Sequence, residues 1–293
     1  MDHSLISLVN YCADGSLLKA CFDPIHGMNL TSFLWKDHEI LDLSTRSLFE
    51  QRSAGLGALI GPHFHHRCAS HIVRDFPMDL FPHLKRLSHD QLEPFSHGIA
   101  RYVQWNYEAS STQVKAWIQG SDLHQGYPLK CLEGFDFSMR LDAILLSDGL
   151  LLDYTVEAQE PCVIGFHYYY PCYKDSWVEA LVRPFQRDKT GWQGINDTWF
   201  DAKTQKLQFC LNQEADFGFM PLQDINSSCN TIVLKHHQHK TLISFTSLNE
   251  DESSWQLYHP KEASYVCIEP LSALNPFKPF AKKNRLQMKI SCI

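Results

Sequence analysis

At 293 residues the chain can bury a substantial core, and 44% apolar with 20% charged residues describes an ordinary globular protein. Its formal charge of -7, with one short basic cluster at Lys282-Lys283-Asn284-Arg285, argues against a polyanion-binding surface. No window holds the ~18 apolar residues of a membrane span, and the ten cysteines lack a CxxC pair, so reduced thiols in a cytoplasmic protein are expected.

The elements are mostly strands. Residues 17–22 and 30–35 read as strands, punctuated by Asp14-Gly15 and Asp23-Pro24. Val103, Trp105 and Tyr107 alternate with Gln104, Asn106 and Glu108, and residues 112–118 form a further strand-like run. The clearest alternation runs from 135 to 145. Phe135, Phe137, Met139, Leu141, Ala143 and Leu145 mark one buried face, with Asp136, Ser138, Arg140 and Asp142 between them. Asp148-Gly149 then turns into a strand over 150–157, and a short helix is expected near 177–182. Runs at 207–211, 231–235, 242–246 and 265–269 follow, with a turn at His259-Pro260. Many strands at short spacing predict an all-β fold: a large antiparallel β-sandwich, one domain over residues 1–293, with few short helices. The sequons at Asn29 and Asn196 are read as chance matches.

Four segments join ionisable groups to the punctuation of strand ends: Gly61-Pro62-His63-Phe64-His65-His66-Arg67, His97-Gly98-Ile99-Ala100-Arg101, Gly165-Phe166-His167-Tyr168-Tyr169-Tyr170-Pro171 and Tyr265-Val266-Cys267-Ile268-Glu269-Pro270. In an extended strand Val266 and Ile268 point one way and Cys267 and Glu269 the other. Pro270 stops the ladder just beyond the carboxylate. Parity likewise separates His167 from Phe166 and Tyr168. Taken singly, Glu269 reads as well as a surface glutamate and His167 as a satisfied core histidine. An imidazole is nonetheless the side chain best suited to exchange protons near neutrality.

Together the four segments, in order and rough spacing, resemble the aldose 1-epimerase (galactose mutarotase-like) superfamily over about residues 15 to 275. His97-Gly98-Ile99-Ala100-Arg101 with Trp105 is similar to the HGxxR…W signature of its hexose-phosphate branch, and Glu269-Pro270 to the late Glu-Pro motif. His167 is followed by Tyr168 where the common form has proline, and the chain lacks the Leu-x-Pro-Gly-Glu-like ending of many members.

The resemblance implies Glu269 as general base and His167 as general acid, with Arg67, His97 and Arg101 binding the sugar. It also implies an aspartate for the sugar hydroxyls, for which Asp197 is the candidate, with Asp201 nearby. The expected reaction is anomer interconversion of a hexose or hexose phosphate. An ionised Glu269 and a protonated His167 would be its starting state. A monosaccharide or sugar phosphate is the expected partner, with no nucleic acid, membrane or cofactor, in a monomer or homodimer.

Two other readings stay open. Gly57-x5-His63-x-His65 resembles the opening of a cupin metal motif, although Ala69 and Ser70 stand where its glutamate belongs, and His236-His237-Gln238-His239 could bind a metal. A noncatalytic carbohydrate-binding protein of the same fold would keep the aromatics without needing the acid–base pair. For the two arginines, Arg67 and Arg101, phosphate binding competes with pairing to carboxylates such as Asp90 or Glu93.

Overall fold

The computed structural model describes residues 5–67, 79–81, 83–84, 94–224, 227–236, 239–248 and 252–293. Two antiparallel layers emerge from the strand pairings. The first runs, neighbour to neighbour, through Ile6–Tyr11, Leu17–Asp23, Asn29–Trp35, Gly57–Ile60, Gly165–Pro171, Tyr265–Leu271, Ser254–His259 and Ala215–Pro221. It ends in the second half of Trp177–Asp188 and in Gly191–Gly194. The second layer runs through Asn106–Ala109, Gln113–Gln119, Phe137–Leu146, Gly149–Ala158, Lys283–Cys292, Lys240–Ser247 and Asn230–Lys235. It ends in the first half of Trp177–Asp188, Lys206–Cys210 and Phe200–Asp201. The all-β sandwich expected from the alternation is therefore present.

The core lies between the layers. Phe137, Met139, Leu141, Ala143 and Leu145 are buried while the residues between them face outward, as the period of two requires. Opposite them stand Phe166, Tyr168, Phe219 and Trp255, all fully buried. Each such side chain contributes roughly 1.5–3 kcal/mol by leaving water. Tyr154 meets Phe166 across the gap, ring centroids 5.8 Å apart.

Two local expectations need correction. Residues 177–182 are not helical but open the Trp177–Asp188 strand, held on both sides by Lys206–Cys210 and Asn230–Lys235. Its register shifts between Val182 and Gln186, where it passes from one layer to the other. Val103 and Trp105 precede the Asn106–Ala109 strand instead of belonging to it. Trp105 is buried by its own bonds, Nε1–H to the Ala100 carbonyl (2.9 Å) and N–H to the Pro24 carbonyl (2.8 Å). Among the described residues the α-helices are Arg46–Arg52 and Leu129–Glu133. Among the described residues no helix is long and apolar enough to cross a membrane.

Candidate functional site

The Gly165–Pro171 strand is buried on both faces. Phe166, Tyr168 and Tyr170 enter the core, which leaves His167 and Tyr169 on the outer face of the first layer. Register then decides what His167 meets. Gly165 pairs with Leu271 and Tyr168 with Ile268, so His167 stands directly across from Glu269. Their Nε2 and Oε1 atoms lie 3.3 Å apart, with Glu269 only 2% exposed and His167 8%.

The same rung continues through the sheet. Glu269 pairs with Gln256, Gln256 with Gly218, Gly218 with Arg187, and Arg187 with Trp192. Directly paired residues of an antiparallel sheet share a face, so one line of side chains from six strands forms the floor of the site. Gly218 is the one position in that line without a side chain, and the Arg187 guanidinium lies over it. A Cβ there would stand 2.6 Å from Nη2. Arg187 Nη2 donates to Gln256 Oε1 (3.0 Å), and Gln256 Nε2 donates to Asp216 Oδ1 (2.7 Å). Gly218→Ala is expected to push the guanidinium off its bed, destabilising the protein by about 1–3 kcal/mol, as overpacking does. A thermal melt checks this; an unchanged Tm would show that Arg187 is not seated on the glycine.

A second set of side chains descends on the pair from two loops. His97 meets the His167 ring edge-on at 5.1 Å, and Tyr169 stacks on it at 4.9 Å. His97 Nδ1 accepts the His65 main-chain N–H (3.2 Å). Gly98, with φ +81°, sits where a Cβ would strike the Gly61 carbonyl, so the two loops close on each other only with glycine there. Arg101 is 4% exposed; its Nη2 donates to the Tyr102 hydroxyl (2.9 Å), and its Nε is without a partner among the described residues.

Burial dominates the electrostatics. It drives His167 down to about 3, with the Arg101 charge pushing the same way. It drives Glu269 well above the usual carboxylate range, reinforced by Asp216 and opposed by Arg101 and Arg187. His97 is pushed well down by burial and then by Arg101, and burial pushes Arg187 down to about 10, against the pull of Asp216 and Glu269. Both shifts disfavour the charge-separated starting state expected from the sequence, because two ions without water cost more than the neutral tautomer of equal proton count.

The other expected site residues divide. His97 and Arg101 are brought to the pair; Arg67 and Asp197 are not. Arg67 binds Glu133, through Nη1 to the carboxylate (3.0 Å) and to the main-chain carbonyl (2.7 Å), and lies over the Phe135 ring. His63 is committed to the same residue, Nδ1 to Glu133 Oε1 (2.7 Å), while its Nε2 contacts the Phe95 carbonyl (2.7 Å). With both ring nitrogens engaged, His63 is a structural residue and the cupin-like reading loses its first ligand. Asp197 is exposed in a turn closed by Asn196, whose Oδ1 accepts from Thr198 N–H and Oγ1–H (both 2.9 Å); Asp201 closes the next turn. The acid that acts on Glu269 is Asp216. His236 contacts the Ser176 hydroxyl through Nδ1 (3.0 Å) and packs edge-on to Tyr173. Ala69, Ser70, Asp90, Glu93, His237 and Gln238 lie outside the described residues.

Asp216, Gly218, Arg187 and Gln256 were not found by sequence reading. The one available signal was a glycine inside an aromatic strand, Phe217-Gly218-Phe219, which marks a close approach. Cys267 faces the site for the same parity reason as Glu269, and its sulfur, His167 and Glu269 offer ligand atoms within 4.8 Å of one another.

No protein-family model and no curated protein matches the chain. Solved structures do. A candidate aldose 1-epimerase from Escherichia coli K12 is 12% identical with a TM-score of 0.67, the match covering 99% of this chain and 100% of that one. A galactose mutarotase-like protein from Lactobacillus casei ATCC 334 is 16% identical with a TM-score of 0.66, covering 99% and 100%. A galactose mutarotase-like protein from Clostridium acetobutylicum is 12% identical with a TM-score of 0.63, covering 99% and 98%. The resemblance first visible in four short motifs extends over the length of the chain, which has the galactose mutarotase-like fold.

Proposed function

We propose that the chain is an aldose 1-epimerase that interconverts the anomers of a hexose or hexose phosphate. One observation supports this reading above the rest: a buried imidazole and a buried carboxyl face each other across two adjacent strands, Nε2 to Oε1 3.3 Å, flanked by two buried arginines. Ring opening needs a proton taken from the anomeric hydroxyl and another given to the ring oxygen. The anomeric C–O bond then becomes a carbonyl as the C1–O5 bond breaks. Glu269 takes the first proton and His167 gives the second, leaving an open-chain aldehyde beside a protonated Glu269 and a neutral His167. Rotation about C1–C2 and closure with the roles reversed produce the other anomer.

That open-chain proton arrangement is the one burial favours in the empty site. The site is therefore complementary to the intermediate, and the proton crosses to His167 as a closed ring enters and its hydroxyls engage the carboxylate. For a phosphorylated hexose, Arg67 drops out as a phosphate ligand because Glu133 holds it. Arg101 and Arg187 are the remaining guanidiniums, each with a buried Nε lacking a partner among the described residues.

The test is NMR or polarimetry of freshly dissolved α-glucose, α-galactose and glucose 6-phosphate with the protein added. Accelerated exchange of any one supports the reading; sugar binding without acceleration points instead to a noncatalytic carbohydrate-binding protein and overturns it. In the free protein burial keeps His167 neutral down to about pH 3. The kcat/KM profile, which reports the free protein, is therefore expected to show no acid limb from pH 7 down to 4.5, and a limb centred near 6.5 would refute the lowered His167.

A further inference from the structure

We infer that His167, Cys267 and Glu269 form a site for one zinc-class divalent cation, which blocks the acid–base pair when bound. Cys267 and Glu269 are two residues apart on one strand and share a face, and His167 stands opposite Glu269 on the next strand. Imidazole nitrogen, thiolate sulfur and carboxylate oxygen are the three donor types that zinc takes, and three protein ligands with an open fourth position make a common zinc arrangement.

The geometry is close to what the ion requires. Zinc bonds of about 2.0–2.3 Å set neighbouring ligand atoms roughly 3.3–3.8 Å apart. His167 Nε2 and Glu269 Oε1 are already 3.3 Å apart, and all three ligand atoms fall within 4.8 Å, so closure needs side-chain rotation of about an ångström. Glu269 Oε2 is buried without a partner among the described residues, so the carboxyl has an oxygen to give without breaking another bond.

Charge decides which cation fits. Arg101 and Arg187 both act on Glu269 and oppose a bare dication, while Asp216 favours one. Burial favours the protonated forms of Cys267 and Glu269, so coordination releases the thiol and carboxyl protons to solvent, and the resulting thiolate and carboxylate leave the three-ligand site neutral around a bound dication. Thiolate coordination favours zinc, copper or cadmium over magnesium or calcium, which prefer oxygen ligands. Coordination would occupy the Nε2 and Oε1 lone pairs that proton transfer uses, so the metal and a reacting sugar exclude each other. This inhibitory consequence rests on the epimerase proposal; binding itself does not.

The experiment is titration of the purified full chain with Co2+ as a spectroscopic probe, followed by Zn2+ in competition with a chromophoric chelator, all without sugar. One equivalent of Co2+ is expected to give four-coordinate visible absorption and a near-ultraviolet thiolate-to-cobalt band. Cys267→Ser should abolish the band and weaken Zn2+ binding by more than about 100-fold, beyond the loss typical of an outer-shell partner. Glu269→Gln should weaken binding as well, which keeps the test valid should the serine variant misfold. His239→Ala, in the other histidine cluster, should retain binding. Absence of stoichiometric binding, or a thiolate band that survives Cys267→Ser, would overturn the inference while leaving the epimerase reading to its own assay.

Discussion

Glu269→Gln should slow anomer exchange by about 10²–10⁴-fold, the usual worth of one positioned general acid–base group. The amide keeps the size of the carboxyl and can still donate to the neutral His167 Nε2, so the cross-strand contact survives. What it cannot do is receive a proton from the anomeric hydroxyl and return it. Because burial already disfavours the charged form of Glu269, the neutral amide suits the site, and the Tm should move by only a few degrees. Sugar affinity, supplied by the surrounding groups, should stay within a few-fold. The decisive measurement is kcat beside Kd for the same sugar. A variant that exchanges anomers within tenfold of the parent would remove Glu269 from the reaction.

Glu133→Ala should produce the largest loss of stability, about 3–5 kcal/mol, the cost of deleting one partner from a buried ionic cluster. Glu133 is wholly buried in the short Leu129–Glu133 helix. Its Oε1 meets His63 and Arg67, and its Oε2 accepts the Ile99 N–H (3.1 Å). His63 and Arg67 hold its carboxyl ionised, below the usual range, against the burial that opposes them. Removing it takes the carboxylate from His63 and Arg67 and the acceptor from the Ile99 N–H, and frees the loop that presents His97 and Arg101. For a chain of this length such a loss corresponds to a fall in Tm on the order of 10 °C. If calorimetry shows a fall of less than about 2 °C, the cluster does not anchor that loop.

These two residues also mark how far the sequence could be read. Alternation over 135–145 placed a strand and its buried face correctly from Phe137 onward, because one face is dry and the other wetter there, while Phe135 lies just before the strand. The same reasoning failed at 177–182. That strand is held by neighbours on both edges and changes layers, so Val178, Glu179 and Ala180 are buried in succession and carry no clean period. Parity put Glu269 and His167 on the correct faces, but only the register between their strands brings them together, and no local pattern encodes register. Glu133 escaped notice because one glutamate in a five-residue helix has no signature until His63 and Arg67 arrive from the 61–67 loop. Asp197, the candidate for the resemblance's sugar-binding aspartate, lies in an exposed turn, and Asp216, which no motif singled out, is the acid that acts on Glu269.

The ladder from His167 to Trp192 has an evolutionary corollary. Substitutions around it can accumulate freely so long as each strand keeps its facing, which accords with a shared fold at 12–18% identity. Adding or deleting a single residue within any contributing strand is another matter, since it would turn that strand's site-facing groups inward and its greasy ones outward. Drift by replacement is permitted here; drift by insertion belongs to the connections outside the ladder.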